Sequence, residues 1–230
     1  MISNKNSQPL TKILSDMKLA ATCLLALVCL QACSQKQKVY VYRQIDPAKW
    51  IIPRTDSVDY QFGQYQGQNA LLMMRKFDDY KSGSIAYPAA LDFADGTIEA
   101  DMAWSGKGGG YIGIAFRIKD SHHYDVVYFR PGSSGTINAI QYMPEKKAGF
   151  NWWNYEAAKY QAKATLPLHN WFHVKVVVKG SQMQVFIDNQ AEAVMVYATL
   201  DPDLKTGAAG FWFGNNDAGA YKNLVITVKE

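Results

Sequence analysis

Phe172-His173-Val174-Lys175-Val176-Val177-Val178-Lys179-Gly180-Ser181-Gln182-Met183-Gln184-Val185-Phe186-Ile187 decides the fold. Phe172, Val174, Val176 and Val178 recur with a period of two, which turns one face of an extended segment to a core and the other away from it. Across the turn Lys179-Gly180-Ser181, the residues Met183, Val185 and Ile187 repeat the period, so the stretch predicts an antiparallel hairpin. Outward from it, from about Asn69, short β-rich runs alternate with Gly, Pro, Asn and Asp. They predict strands over 69–75, 96–104, 111–118, 124–130, 137–143, 171–179, 183–188, 209–214 and 221–228. Helix is expected only as brief turns near 47–50 and 156–160. Many short strands with regular turn signals predict an all-β protein, a two-sheet antiparallel sandwich.

Two strands set the expected faces. In 111–118 the large apolar residues Ile112, Ile114 and Phe116 share the core side, and Tyr111, Gly113, Ala115 and Arg117 share the other, where small side chains predict a shallow groove. In 96–104 the same parity puts Ile98, Ala100 and Met102 inside and Glu99 and Asp101 outside. Gln141 and Tyr128 are expected to form a polar floor, and Arg130 ends its strand because Pro131 cannot continue the ladder.

The N-terminal segment follows different rules. Lys18 precedes twelve uncharged residues, 19–30, which end in Leu30-Gln31-Ala32-Cys33. A basic start, an apolar stretch of about 7–15 residues and a small residue at the cut describe a secretory signal. The stretch is short of the roughly 17–25 residues that a spanning helix needs. Leu30-Gln31-Ala32-Cys33 resembles the lipobox of bacterial lipoproteins, which implies cleavage before Cys33 and lipid on its thiol. The expected organisation is a signal peptide at 1–32, whose first 16 residues look like an upstream extension before Met17-Lys18, a lipidated tether at 33–45, and one domain at 46–230. Residues 39–65 are expected to serve as tether and wrapping segment. Ser34 points to the outer membrane of the cell envelope. Lipid chains at about 0.8 kcal/mol per buried methylene make such an anchor durable when several are attached.

Removing residues 1–32 leaves 198 residues with 21 Lys+Arg and 19 Asp+Glu, a net charge of about +2. That balance lacks the clustered basic face nucleic acid requires. Cys23, Cys29 and Cys33 all fall in or at the end of the signal, so the domain has no thiol for a disulfide or a cysteine metal site.

The domain carries a family likeness. Phe93-Ala94-Asp95-Gly96-Thr97-Ile98-Glu99-Ala100-Asp101, Gly113-Ile114-Ala115-Phe116-Arg117, Tyr128-Phe129-Arg130-Pro131, Gln141-Tyr142, Trp171-Phe172-His173-Val174-Lys175-Val176 and Ala220-Tyr221-Lys222-Asn223-Leu224 resemble, in order, the concanavalin A-like lectin and glucanase superfamily. Laminin-G-like domains and the 3-keto-disaccharide hydrolase family of bacterial envelope proteins look nearest. The resemblance implies a jelly roll of two antiparallel sheets, one curved, with sugar held on the concave face and its bordering loops in many members. Fold alone does not confer function, which is argued from the site.

The glucanase branch supplies its carboxylates as Glu-x-Asp-x-Glu or Glu-x-Asp-x-x-Glu. Glu99-Ala100-Asp101-Met102-Ala103-Trp104 lacks the third carboxylate at both positions, which argues against an enzyme. Glu99 and Asp101 stand roughly 7 Å apart on a strand, near the ~5–5.5 Å of a retaining pair, yet same-strand acids are also commonly solvated or paired. Arg117 and Arg130 could hold sugar hydroxyls or a carboxylate, or could satisfy Glu99, Asp101 or Asp125. Trp152 and Trp153, in Asn151-Trp152-Trp153-Asn154-Tyr155, could stack on sugar rings or plug the sandwich mouth. Ligand contacts are expected at Arg117, Tyr128, Arg130, Gln141, Trp152 and Trp153. His122-His123 lacks further metal ligands and reads as a turn. Lys107-Gly108-Gly109-Gly110 reads as a hairpin turn, since no helix follows to make a phosphate loop. Asn215-Asn216-Asp217 offers oxygens for a structural calcium or forms a plain turn; no other cofactor or metal is expected.

Three functions are consistent with these residues. The leading one is a membrane-anchored carbohydrate-binding lipoprotein; the others are a glycoside-cleaving enzyme of the 3-keto-disaccharide hydrolase type and an accessory lipoprotein of an envelope transport complex.

Overall fold

A computed structural model describes residues 36–43, 45–53, 58–76, 84–107, 110–146, 156–214 and 218–229. Cys33 and the rest of the signal segment, Trp152, Trp153 and Asn215-Asn216-Asp217 lie outside the described residues.

The hairpin forms as its period requires. Strands β11 (Phe172–Lys179) and β12 (Gln182–Ile187) pair in register from Val174↔Ile187 to Lys179↔Gln182. Gly180 sits at φ +58°, the left-handed turn that a two-residue hairpin loop needs. β11 then pairs with β6 (Gly96–Trp104), which pairs with the closing strand β15 (Ala218–Lys229). With β13 (Met195–Tyr197), β4 (Gln68–Arg75), β3 (Val58–Tyr65) and β1 (Gln37–Tyr42), they form an eight-stranded sheet in the order β13-β12-β11-β6-β15-β4-β3, with β1 also on β15.

The opposing sheet has seven strands: β10 (Gln161–Ala162), β9 (Ile140–Glu145), β8 (His123–Phe129), β7 (Ile112–Asp120), β14 (Ala208–Phe213), β5 (Ser84–Pro88) and β2 (Trp50–Ile51), in that order. The named pairings in both sheets are antiparallel. Helix among the described residues is limited to the turn α1 (Ala157–Tyr160) and two 3-10 turns, Pro47–Lys49 and Pro131–Ser133. The chain is thus the all-β, two-sheet antiparallel sandwich expected.

The core is the alternating set. Ile98, Ala100, Met102, Val174, Val176, Val178, Met183 and Val185 from one sheet meet Ile112, Ile114, Phe116, Val127, Phe129 and Phe211 from the other. Burying a large aliphatic or aromatic side chain contributes about 1.5–3 kcal/mol, so this layer supplies the main drive for folding.

Three expectations need correction. The segment expected to be tether and wrap contributes strands β1, β2 and β3, because Tyr40, Tyr42 and Phe62 turn toward the core. Arg117 is not on an outer face: the pairing of β7 with β8 shifts between Phe116 and Asp120, Arg117 adopts φ +52°, and this bulge takes its side chain out of the alternation into a buried position. Its Nε donates to Ala94 O at 3.0 Å, Nη1 to Leu204 O at 3.3 Å, and Nη2 to Gly180 O at 2.6 Å and Asp95 Oδ1 at 3.2 Å. Finally, the acidic pair and Arg130 do not share a surface: Glu99 and Asp101 stand on the eight-stranded sheet, Arg130 at the end of β8 in the seven-stranded one.

Candidate functional site

The outer face of the seven-stranded sheet carries a second apolar layer. Ile85, Ala115, Tyr124, Val126, Tyr128 and Trp212 cluster there apart from the core, with Tyr87, Tyr111 and Met143 half-buried around them. One register line crosses six strands: Ile85 pairs with Trp212, Trp212 with Gly113, Gly113 with Tyr128, Tyr128 with Gln141, and Gln141 with Gln161. Directly paired residues project to the same side, so all five side chains, with Gly113 as the gap, form one row.

Gly113 makes the row compact. A Cβ there would stand 2.4 Å from Val127 O and 2.8 Å from Tyr128 Cα. Strands β8 and β14 flank β7, so Tyr128 and Trp212 start roughly 10 Å apart at about 4.8 Å per strand. Their rings nevertheless lie 5.0 Å apart across the glycine. The groove expected over the small residues of β7 is therefore filled by the rings beside it. Trp212 Nε1 donates to Tyr124 Oη at 3.2 Å, which satisfies the indole within the cluster.

Beyond Tyr128 the row turns polar. Arg130 stacks its guanidinium over Tyr111, with 4.8 Å from Cζ to the ring centroid, and its Nη1 reaches Gln141 Oε1 at 3.5 Å. Arg130 Nε and Gln161 Oε1 are buried without a hydrogen-bond partner. Leaving such a group unmet costs about 1–3 kcal/mol, so the polar end of the row carries one unsatisfied donor and one unsatisfied acceptor.

Of the six expected ligand contacts, the structure brings together Tyr128, Arg130 and Gln141. Tyr128 and Gln141 are only 3% and 4% exposed, so Arg130 and the half-buried Tyr111 and Gln161 form the accessible edge. Trp212 and Gln161 were not among the expected contacts; only the register of the folded sheet lines them up with Tyr128.

Glu99 and Asp101 belong to a different row, on the outer face of the eight-stranded sheet. His173 pairs with Asp101, and Asp101 with Lys222. His173 Nδ1 lies 2.8 Å from Asp101 Oδ1 and Nε2 3.4 Å from Glu99 Oε2. Asn223 Nδ2 and Lys222 Nζ donate to Asp101 Oδ2 at 2.6 and 3.0 Å. Burial pushes the Asp101 carboxyl up, but the bonds from His173, Asn223 and Lys222 outweigh it and hold it at about 2. A carboxyl so fixed in its ionised form cannot act as a proton donor near neutrality, which disfavours the acid role of a glycosidase pair.

The bond to Asp101 raises the His173 imidazole above its ordinary 6.5, against the opposing effect of burial. The stabilisation from His173 is therefore complete below 6.5 and lost as pH rises through its folded-state value, whereas that from Asp101 is complete above 3.8 and lost as pH falls toward 2. Asp101→Asn is expected to bring the His173 titration down, followed by NMR of its ring protons; an unmoved imidazole would show that Asp101 does not set it.

His123 closes the β7–β8 turn, with Nδ1 2.8 Å from Asp120 Oδ2. Among the described residues, no group of three or more His, Cys, Asp and Glu is placed to hold a metal, and no helix is long and apolar enough to cross a membrane.

The fold is shared with solved structures. The carbohydrate-binding module CBM66 from Bacillus subtilis superposes with a TM-score of 0.56 at 13% identity, over 76% of this chain and 93% of that one. A protein with a galectin-like fold from Bacillus subtilis gives 0.57 at 12% identity, over 85% and 100% of the two chains. A native glycosidic hydrolase gives 0.54 at 13% identity, over 84% and 95%. At these identities the likeness is one of fold alone, the two-sheet antiparallel jelly-roll sandwich. No family model and no curated protein matches the chain.

Proposed function

We propose that this protein is a lipid-anchored lipoprotein of the bacterial cell envelope that binds carbohydrate on the outer face of its seven-stranded sheet. The observation that carries the reading is the polar end of the row, where Arg130 over Tyr111 leaves its Nε unmet and Gln161, paired with Gln141, leaves its Oε1 unmet. A sugar hydroxyl donates and accepts at once, so it suits either atom, while the half-buried Tyr111 at the accessible edge offers ring surface to the C–H face of a pyranose. The module and the glycosidic hydrolase that share the fold support a saccharide as the ligand class. Trp152 and Trp153 lie between β9 and α1, and we assign them further stacking contacts. Lipid on Cys33 holds the domain at the membrane, with Ser34 favouring the outer one.

Binding of neutral oligosaccharides to the full-length chain in detergent tests this. Arg130→Ala is expected to weaken the best-bound glycan about tenfold or more, the loss of one charge-assisted hydrogen bond of roughly 1.5–3 kcal/mol, with little change in Tm. Trp152→Ala with Trp153→Ala is expected to weaken it further. A glycan screen without binding, or binding indifferent to Arg130, sinks the proposal.

A further inference from the structure

We propose a second ligand site, on the other sheet, that takes an acidic sugar unit such as a hexuronate through Arg43. The site is a cavity of about 420 Å³ where β15 changes partner, which lies within the roughly 300–1,000 Å³ span of small-molecule sites. β15 pairs with β4 over Ala218–Tyr221 and with β1 over Leu224–Lys229. Asn223, at φ +54° in the bulge between them, marks the exchange. The end of β1 and the β3–β4 hairpin thus part from each other, and the opening between them is lined by Arg43 and Ile45 on one side and by Phe62, Gln64 and Asn69 on the other.

The lining fits one ligand chemistry. Arg43 is exposed, and no carboxylate among the described residues pairs with it. Its planar fork matches a carboxylate through two parallel bonds. Gln64 Nε2 donates to Asn69 Oδ1 at 3.3 Å, which leaves Gln64 Oε1 to accept and Asn69 Nδ2 to donate toward hydroxyls. Ile45 and Phe62, both half-buried against the core, give the apolar wall that a pyranose ring needs. A carboxylate, hydroxyls of both senses and a C–H face together describe a uronic acid. The site stands on a different sheet from Arg130, so it does not depend on the preceding proposal.

The experiment is a calorimetric and NMR titration of the full-length chain in detergent with glucuronate, glucose and acetate. Glucuronate is expected to bind in the millimolar range or tighter and to shift the Phe62 and Asn69 resonances. Arg43→Gln is expected to weaken it about tenfold or more, and Arg130→Ala to leave it unchanged. Asn69→Ala is expected to weaken glucuronate without affecting acetate. No glucuronate binding, equal binding in Arg43→Gln, or acetate binding as well as glucuronate would each overturn the proposal; loss in Arg130→Ala instead would move the uronate to the other sheet and overturn it too.

Discussion

Arg117→Met is expected to lower the unfolding free energy by about 3–5 kcal/mol, the cost of breaking a buried, hydrogen-bonded charge from one side. For a domain of this size that is a fall in Tm on the order of 10 °C. The guanidinium leaves β7 in one sheet and donates to the β11–β12 turn of the other at Gly180 O, while it also binds Ala94 O and Asp95 Oδ1 ahead of β6 and Leu204 O ahead of β14. Asp95 Oδ1 in turn accepts from Gly180 N at 2.9 Å, so one ion pair fixes the hairpin turn and joins the sheets at this end. Methionine keeps the stem but strands three carbonyls and one carboxylate. Arg117→Lys is expected to recover less than half of the loss, because one ammonium cannot reach partners that three separate nitrogens now serve. Denaturant unfolding with an unchanged slope checks both. A loss within about 0.5 kcal/mol for Arg117→Met, the range of ordinary surface changes, would show that the clamp is not structural.

The same residue shows where sequence reading ends. The alternation in β11 and β12 was legible because one face is core and the other is charged, so the period survives in the letters. The seven-stranded sheet buries both faces: His123-Tyr124-Asp125-Val126-Val127-Tyr128-Phe129 is buried from Tyr124 onward, and its period of two is erased. Arg117 lies in a bulge, and one shifted residue reverses every parity argument that follows it. β1 was hidden for the opposite reason, since its outward positions carry Val39 and Val41, 57% and 51% exposed, where a polar residue would have shown the alternation.

The candidate site was half legible on the same grounds. Tyr128, Arg130 and Gln141 could be placed by parity within neighbouring strands of one hairpin succession. Gln161 could not, because a two-residue strand has no period, and its place beside Gln141 comes only from pairing across the α1 turn. Gly113 was a visible trace: a small residue amid large ones does mark a close approach, although of the rings of Tyr128 and Trp212, not of an open groove. The acidic pair was correctly set on an outer face of its strand, but which sheet that strand joins is a matter of topology that local patterns do not encode.

Asp125→Asn is expected to make the protein more stable at alkaline pH, by up to about 4 kcal/mol, and to change it little near pH 4. Asp125 is fully buried on the core side of β8, where burial pushes its carboxyl from 3.8 up to about 7, against the bond from Tyr142 Oη at 2.8 Å and the charge of Arg117. Its Oδ2 has no partner. The folded state therefore holds a proton that the unfolded chain has already released between 3.8 and about 7, so stability falls as pH rises through that window and then levels off. Asparagine is the permanent counterpart of the protonated acid: it keeps an oxygen for Tyr142 and cannot ionise. Unfolding curves for both proteins from pH 4 to 9 should thus converge at the acid end and separate steadily toward pH 7. Parallel curves would mean that Asp125 keeps its charge in the folded protein, and that Arg117 together with Tyr142 is enough to hold it.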